Sequence, residues 1–203
     1  MTDALRARWT AVAGDTPESL ATYADVLARY GEPHRRYHGV RHVEHVVAMA
    51  DALAGGSADA AVVLAAFLHD VVYDTRAADN EERSAAYARE HLPPLGVDAA
   101  TVAEVARLVL ATKAHDAADE AAALLLDADL AVLGADPATY DAYSAGVREE
   151  YGWVPEGLYR AGRAHVLRSF LDRPAVFLTE PMRRRGEAAA RANLARELAA
   201  LDG

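Results

Sequence analysis

The chain has no cysteine. That excludes a disulfide framework and any thiolate metal site, so a bound metal would have to take nitrogen and oxygen ligands. Aromatic residues make up only 7% of the chain, and alanine recurs throughout, which favours helix over sheet. No apolar run reaches the roughly 18 residues of a membrane span, and Met1 to Gly14 does not resemble a secretory signal. The cytoplasm is therefore the default compartment, with no membrane partner expected. Positive charge is scarce too: Lys and Arg total 21 against 31 Asp and Glu, for a formal net charge of −10. This argues against general nucleic-acid or anionic-membrane binding. Lys113 is the single lysine, so phosphate recognition would fall mainly to local arginines. Internal repeats and low-complexity linkers are also missing.

What remains is ordinary globular material, 52% hydrophobic and 26% charged over 203 residues. That length suits one good-sized core or at most two small domains. Helix punctuation recurs along it. Thr16-Pro17 reads as a cap and first helical position for a helix to about Tyr30, before Gly31. Gly39 to Ala54 carries a helical apolar pattern. Ser57 or Asp59 opens a helix expected to run to Val72, apolar on every side and therefore buried. Asp79 and Glu82 have capping-box spacing for a helix to about His91. Asp98 caps another to about Thr112; Glu120 to Leu133 follows, ending at Gly134. Asp136-Pro137 and Pro155 open helices to about Tyr151 and Leu171, and the last spans about Met182 to Leu201. The short Ala175 to Thr179 run could be extended, with nothing obvious to pair with it. The expectation is an all-α, bundle-like domain of about ten helices.

The buried helix ends in His69-Asp70. An ionisable pair leaving a core is costly unless it is hydrogen-bonded, paired or bound to metal. Taken alone, the pair reads as a satisfied core histidine beside a helix-end aspartate. Two other segments change that weighting. In the first, His38 and His42 are four apart, and His42 and His45 three apart, so on a helix they share a face. Val43, Val46 and Val47 turn the face near His42 inward, whereas His34 and His45 read as solvated. In the second, Asp127 and Asp129 interrupt the apolar run Leu124 to Leu133. One of these two carboxylates is expected on a solvent stripe, not both. Two histidines and two aspartates on three helices suit one divalent ion: Mn, Fe, Co, Ni, Mg or Zn. Such an ion, with positions left for water and substrate, would polarise a phosphoryl oxygen and activate water near neutral pH.

The ordered set His42, His69-Asp70, Asp129 resembles the H…HD…D pattern of the HD superfamily of metal-dependent phosphohydrolases. There the last ligand commonly sits in an Ala-Asp-Arg-Leu phrase, so Ala128-Asp129-Leu130 selects Asp129 over Asp127. The likeness extends to one branch, the predicted HD-superfamily metal-dependent phosphohydrolases. Its phrases are similar to Arg36-Tyr37-His38, Phe67 to Asp74, Asn80 to Ala85 and Thr112-Lys113-Ala114-His115. Further matches are Arg148-Glu149-Glu150-Tyr151 and Glu187 with Ala190 to Asn193. The resemblance covers nearly the whole chain and implies a single HD-type domain over residues 1–203. Gly39 stands where that branch usually has Asn, which affects a polar contact at the mouth of the site rather than the metal.

Helpers are expected around the metal as well. Asp74, four residues past Asp70, is expected to orient water, with Glu81 as a second free carboxylate and Glu82 as the capping partner. Lys113 would meet phosphate, and His115 would protonate a leaving oxygen. His38, Arg41, Arg148 and Arg163 are expected to bind substrate. Arg183-Arg184-Arg185 reads as a solvated run. The partner implied is a small phosphorylated metabolite, with nucleotides in range; a homo-oligomer is compatible with the sequence. His69 to Thr75 is also similar to the HDVVEDT phrase of alarmone hydrolases, but Tyr73 replaces its Glu and cannot act as a carboxylate base near pH 7. A di-iron oxygenase would need more histidines than His91 and His115 supply between Asp70 and Asp129. A non-catalytic nucleotide-binding regulator is the third alternative, disfavoured by the complete ligand set.

Overall fold

Several helix starts in this chain are set by side-chain caps and proline. Thr16 accepts the Ser19 N–H ahead of Pro17, Asp98 accepts those of Ala100 and Thr101, and Asp136 those of Ala138 and Thr139. The computed structural model describes residues 2–203, with Thr2 described through its backbone alone. The elements are α1 (Thr2–Ala13), α2 (Pro17–Tyr30), α3 (Val40–Leu53), α4 (Ala60–Leu68), α5 (Asn80–His91), α6 (Ala99–Ala111), α7 (Glu120–Asp129), α8 (Pro137–Glu150), α9 (Glu156–Leu171) and α10 (Glu180–Asp202). Short 3₁₀ turns lie at Pro93–Leu95 and Leu130–Gly134. No strand occurs among the described residues, so the all-α expectation holds. The chain forms two compact units, Met1–Asp129 and Leu130–Gly203.

In the first unit the organising element is α4. Val62 to Leu68 are buried without interruption, as the all-round apolar sequence requires. The helix packs against α1, α3, α5, α6 and α7. Trp9, Tyr23 and Phe67 form an aromatic knot with ring centroids 5.1–6.3 Å apart. The Trp9 indole N–H donates to Ser19 Oγ at 2.9 Å. Each such side chain withdrawn from water stabilises the fold by about 1.5–3 kcal/mol.

α4 stops at Leu68, four residues short of the expected Val72. Three bonds explain it. The carbonyl of Ala66, which would receive the Asp70 N–H in a continuing helix, instead faces His69 Nδ1 at 3.0 Å. The Asp70 N–H donates to Tyr30 Oη at 3.2 Å. Val71 N–H bonds back to Leu68 at 3.2 Å, a tightened last turn. Beyond it, Ser84 Oγ accepts the Val72 N–H and donates to the Val72 carbonyl, at 3.1 and 3.3 Å.

The expected capping box at α5 does not form. Asp79 occupies the cap position without a side-chain bond. Glu82 turns to Lys113, 2.5 Å away, because a cation is the stronger partner for a carboxylate. Asn80 instead braces the preceding loop through both the N–H and the carbonyl of Asp74. The Glu120 helix ends its α-geometry at Asp129 and continues as the 3₁₀ turn.

The second unit holds α8 to α10. Arg163 pairs with Glu197 through two nitrogens, at 2.8 and 3.0 Å, and Glu197 also receives the hydroxyls of Tyr140 and Ser144. Asn193 donates to the carbonyls of Leu133 and Ala135, holding α10 against the 3₁₀ turn. A side chain at Gly134 would meet the Gly186 backbone at 2.9 Å, so that crossing needs glycine. The Ala175 to Thr179 run is a non-strand connection whose Val176 and Phe177 N–H groups donate to Glu187.

Candidate metal centre

Three helix positions bring four side chains to one point in the first unit. His42 comes from the first turns of α3, His69 and Asp70 from the end of α4, and Asp129 from the last residue of α7. The Nε2 atoms of His42 and His69 are 3.0 Å apart. Asp129 Oδ1 lies 3.2 Å from His42 Nε2 and 3.5 Å from His69 Nε2. Asp70 Oδ2 lies 3.4 Å from His69 Nε2 and 3.9 Å from His42 Nε2. Both imidazoles are 1% exposed, and the two carboxylates are 18% and 15% exposed. The cluster is thus dry on its histidine side and reachable from solvent on its carboxylate side.

Those separations fit a shared cation. Nitrogen and oxygen ligands about 2.1 Å from one ion stand roughly 3.0–3.4 Å from their nearest neighbours. His69 is also oriented correctly. Its Nδ1 faces the Ala66 carbonyl, which keeps a proton on Nδ1 and directs Nε2 at the cluster, where a proton or a cation can sit. The Nδ1 of His42 is buried without a hydrogen-bond partner. The buried group His42, His69 and Asp129 can therefore hold a metal ion.

Electrostatics point the same way. Burial disfavours a charged His69, yet Asp70 and Asp129 outweigh it and push its pKa well above the usual 6.5. Burial dominates at His42 and lowers its pKa. Burial opposes ionisation of Asp129 and Asp70, but the histidines overcome it and hold both carboxyls well below the usual range. A site that retains two carboxylates and recruits a proton onto an imidazole is one that favours positive charge at its centre.

His38 and His115 border this set. His38 stacks on Tyr73 with centroids 4.5 Å apart and meets the His42 ring edge-on at 5.4 Å. His115 Nε2 is 3.8 Å from Asp129 Oδ2, with the side chain 30% exposed. Its backbone adopts φ 49°, a left-handed conformation uncommon outside glycine. Lys113 is occupied: its ammonium donates to Ala78 O and Glu82 and stands 3.9 Å from Glu81. Asp74 is exposed, and its carboxylate accepts the Arg76 N–H in a turn of its own loop. Arg41 is exposed in the first turn of α3. In the second unit, Arg148 pairs with Glu156 at 3.0 Å and Arg163 is locked to Glu197. His34 and His45 are exposed, as expected.

One expectation fails outright. Neither aspartate of α7 lies on a solvent stripe: Asp127 is fully buried. The sequence also gave no hint of two residues that shape the site, Tyr30 and Arg35. Tyr30 shares the buried face of α2 with Tyr23 and Val26, which signals burial but not a bond to Asp70, and Arg35 sits in a loop without periodicity.

No family model, curated protein or solved structure matches this chain.

Proposed function

We propose that the protein is a metal-dependent phosphohydrolase acting on a small phosphorylated metabolite, with nucleotides the first class to try. The observation that carries this is the convergence of His42, His69 and Asp129 on one point, with Asp70 Oδ2 within 3.4–3.9 Å of both imidazoles and the carboxylate side open. The donor set contains no sulfur and suits Mn, Fe, Co, Ni, Mg or Zn. A divalent ion there supplies Lewis acidity for a phosphoryl oxygen and lowers the pKa of water. The likeness of the H…HD…D order to the HD superfamily supports the same reading.

The chain's own residues then have these parts. His115, 3.8 Å from Asp129 and partly exposed, gives its proton to the leaving oxygen as the P–O bond breaks, and regains one from solvent. Asp74 and Glu81 are the carboxylates assigned to orienting the attacking water. Lys113, held by Glu82, adds positive charge for phosphate, and His38 and Arg41 flank the substrate. Arg148 and Arg163 are paired with Glu156 and Glu197 within the second unit, and no part at this centre is assigned to them.

The test is direct. Bound metal is measured on the purified protein, and phosphomonoesters, nucleotides and phosphodiesters are screened with Mn²⁺, Co²⁺ or Ni²⁺. His69→Ala and Asp70→Ala are expected to abolish turnover. Variants that hydrolyse as well as the parent defeat the reading. Tight nucleotide binding without turnover under every metal points to a regulator instead.

A further inference from the structure

Arg35 is a buried cation with an unusual set of partners. Its side chain is 1% exposed. Only Nε reaches a carboxylate, Glu32 at 3.2 Å. The terminal nitrogens donate to three backbone carbonyls: Asp70 at 2.7 Å, His38 at 3.2 Å and Val71 at 3.2 Å. The guanidinium also lies over the rings of Tyr30 and Tyr73, 4.9 and 5.3 Å from their centroids. A planar fork holds carbonyls from two segments in fixed directions while Nε keeps Glu32; a lysine ammonium has three donors at one point and no such fork.

The two segments are those that deliver ligands. One runs from His38 into α3 and ends at His42. The other is the turn after α4 that carries Asp70. Tyr30 completes the hold, because its hydroxyl accepts the Asp70 N–H at 3.2 Å while Arg35 takes the Asp70 carbonyl. The peptide groups on both sides of the Asp70 Cα are therefore pinned. Rotation about that residue would swing its carboxylate away from His69. An ordinary loop clamp would brace the chain without regard to the side chain it carries. Here the braced residue is itself a ligand.

We propose that Arg35 and Tyr30 are positioning residues for the metal centre, setting the direction of the Asp70 carboxylate and the approach of His42. This rests on the reading that the centre binds a divalent ion. The experiment uses the full chain as parent, Arg35→Lys, Arg35→Met and Tyr30→Phe. Each is titrated with Co²⁺, its visible absorption is recorded at saturation, and the thermal unfolding of the metal-free protein is measured in parallel. Both Arg35 variants are expected to lose about 10–100-fold in Co²⁺ affinity, the range seen when outer partners of metal ligands are removed. Their Co²⁺ bands should shift in position or intensity, with Lys failing to restore the parent spectrum. Tyr30→Phe, which deletes one oxygen, should lose roughly two- to ten-fold, the worth of a single hydrogen bond. Lower melting temperature with parental affinity and spectrum overturns the proposal, because it leaves a merely structural brace. If the Arg35 variants do not fold, Tyr30→Phe decides by the same criterion. A parent that binds no Co²⁺ sinks the metal reading and this proposal together; a parent that binds, with unchanged variants, sinks this proposal alone.

Discussion

The Nε2 atoms of His42 and His69 face each other at 3.0 Å, and both rings are buried. Two lone pairs cannot share that gap without a proton or a cation between them. With Asp129 Oδ1 within 3.5 Å of both, the pair forms a ready cation seat.

A divalent ion that binds only the folded state must therefore raise thermal stability. At free metal one hundred times its dissociation constant, the gain is about 2.7 kcal/mol. For a chain of this size that raises Tm by roughly 5–10 °C. Calorimetry with and without a chelator checks it. His42→Ala should remove the shift, and a chelator-insensitive Tm in the parent contradicts the seat.

α4 supplies a second expectation. Phe67 is fully buried and meets Trp9 edge-on at 5.1 Å. Phe67→Ala leaves a ring-sized void that the surrounding helices cannot close. The cost should be about 3–5 kcal/mol, a large part of a typical domain's 5–15 kcal/mol. Chemical denaturation should show a lower midpoint with an unchanged slope.

Much of this was legible in the sequence because local rules agreed with the final packing. Thr16, Asp98 and Asp136 cap helices as their spacing requires, and Val62 to Leu68 bury as their apolarity requires. The end of α4 was not legible. It is decided by Tyr30 and Arg35, 40 and 35 residues away in the chain, and no local pattern encodes that. Glu82 was misassigned for a similar reason: its local partner lost to Lys113, which arrives from the end of α6. Several phrases outside the metal cluster turn out to hold backbone. Ser84 bonds Val72, Asn80 braces Asp74, Glu187 receives Val176 and Phe177, and Asn193 ties Leu133. Chemistry-bearing residue types in such phrases can serve packing alone.

Ser84 makes that point testable. It is fully buried, and its hydroxyl serves both polar groups of Val72, in the turn that follows the ligand pair. Ser84→Ala keeps the volume almost unchanged but strands the part-buried Val72 N–H. The expected loss is about 1–3 kcal/mol, read by thermal unfolding. A variant as stable as the parent shows that solvent replaces the hydroxyl.

The second unit carries a pH-dependent element of its own. Burial opposes ionisation of Glu197, but Arg163, Tyr140 and Ser144 outweigh it and hold its carboxyl below the ordinary 4.5. The folded state therefore binds fewer protons than the unfolded chain as pH falls through that range. By linkage, the stability from this carboxylate is complete above its unfolded pKa and is lost as pH drops through the folded value. Glu197→Gln removes the charge and leaves Arg163 buried without its counter-ion, at a cost of about 3–5 kcal/mol near neutrality. Below its folded pKa, which lies under 4.5, the parent carboxylate itself becomes protonated, so the two proteins should converge. Thermal unfolding of parent and variant between pH 7 and pH 3 checks both the size of the gap and its closure. A gap that stays constant across that range means Glu197 contributes shape and hydrogen bonds but no charge.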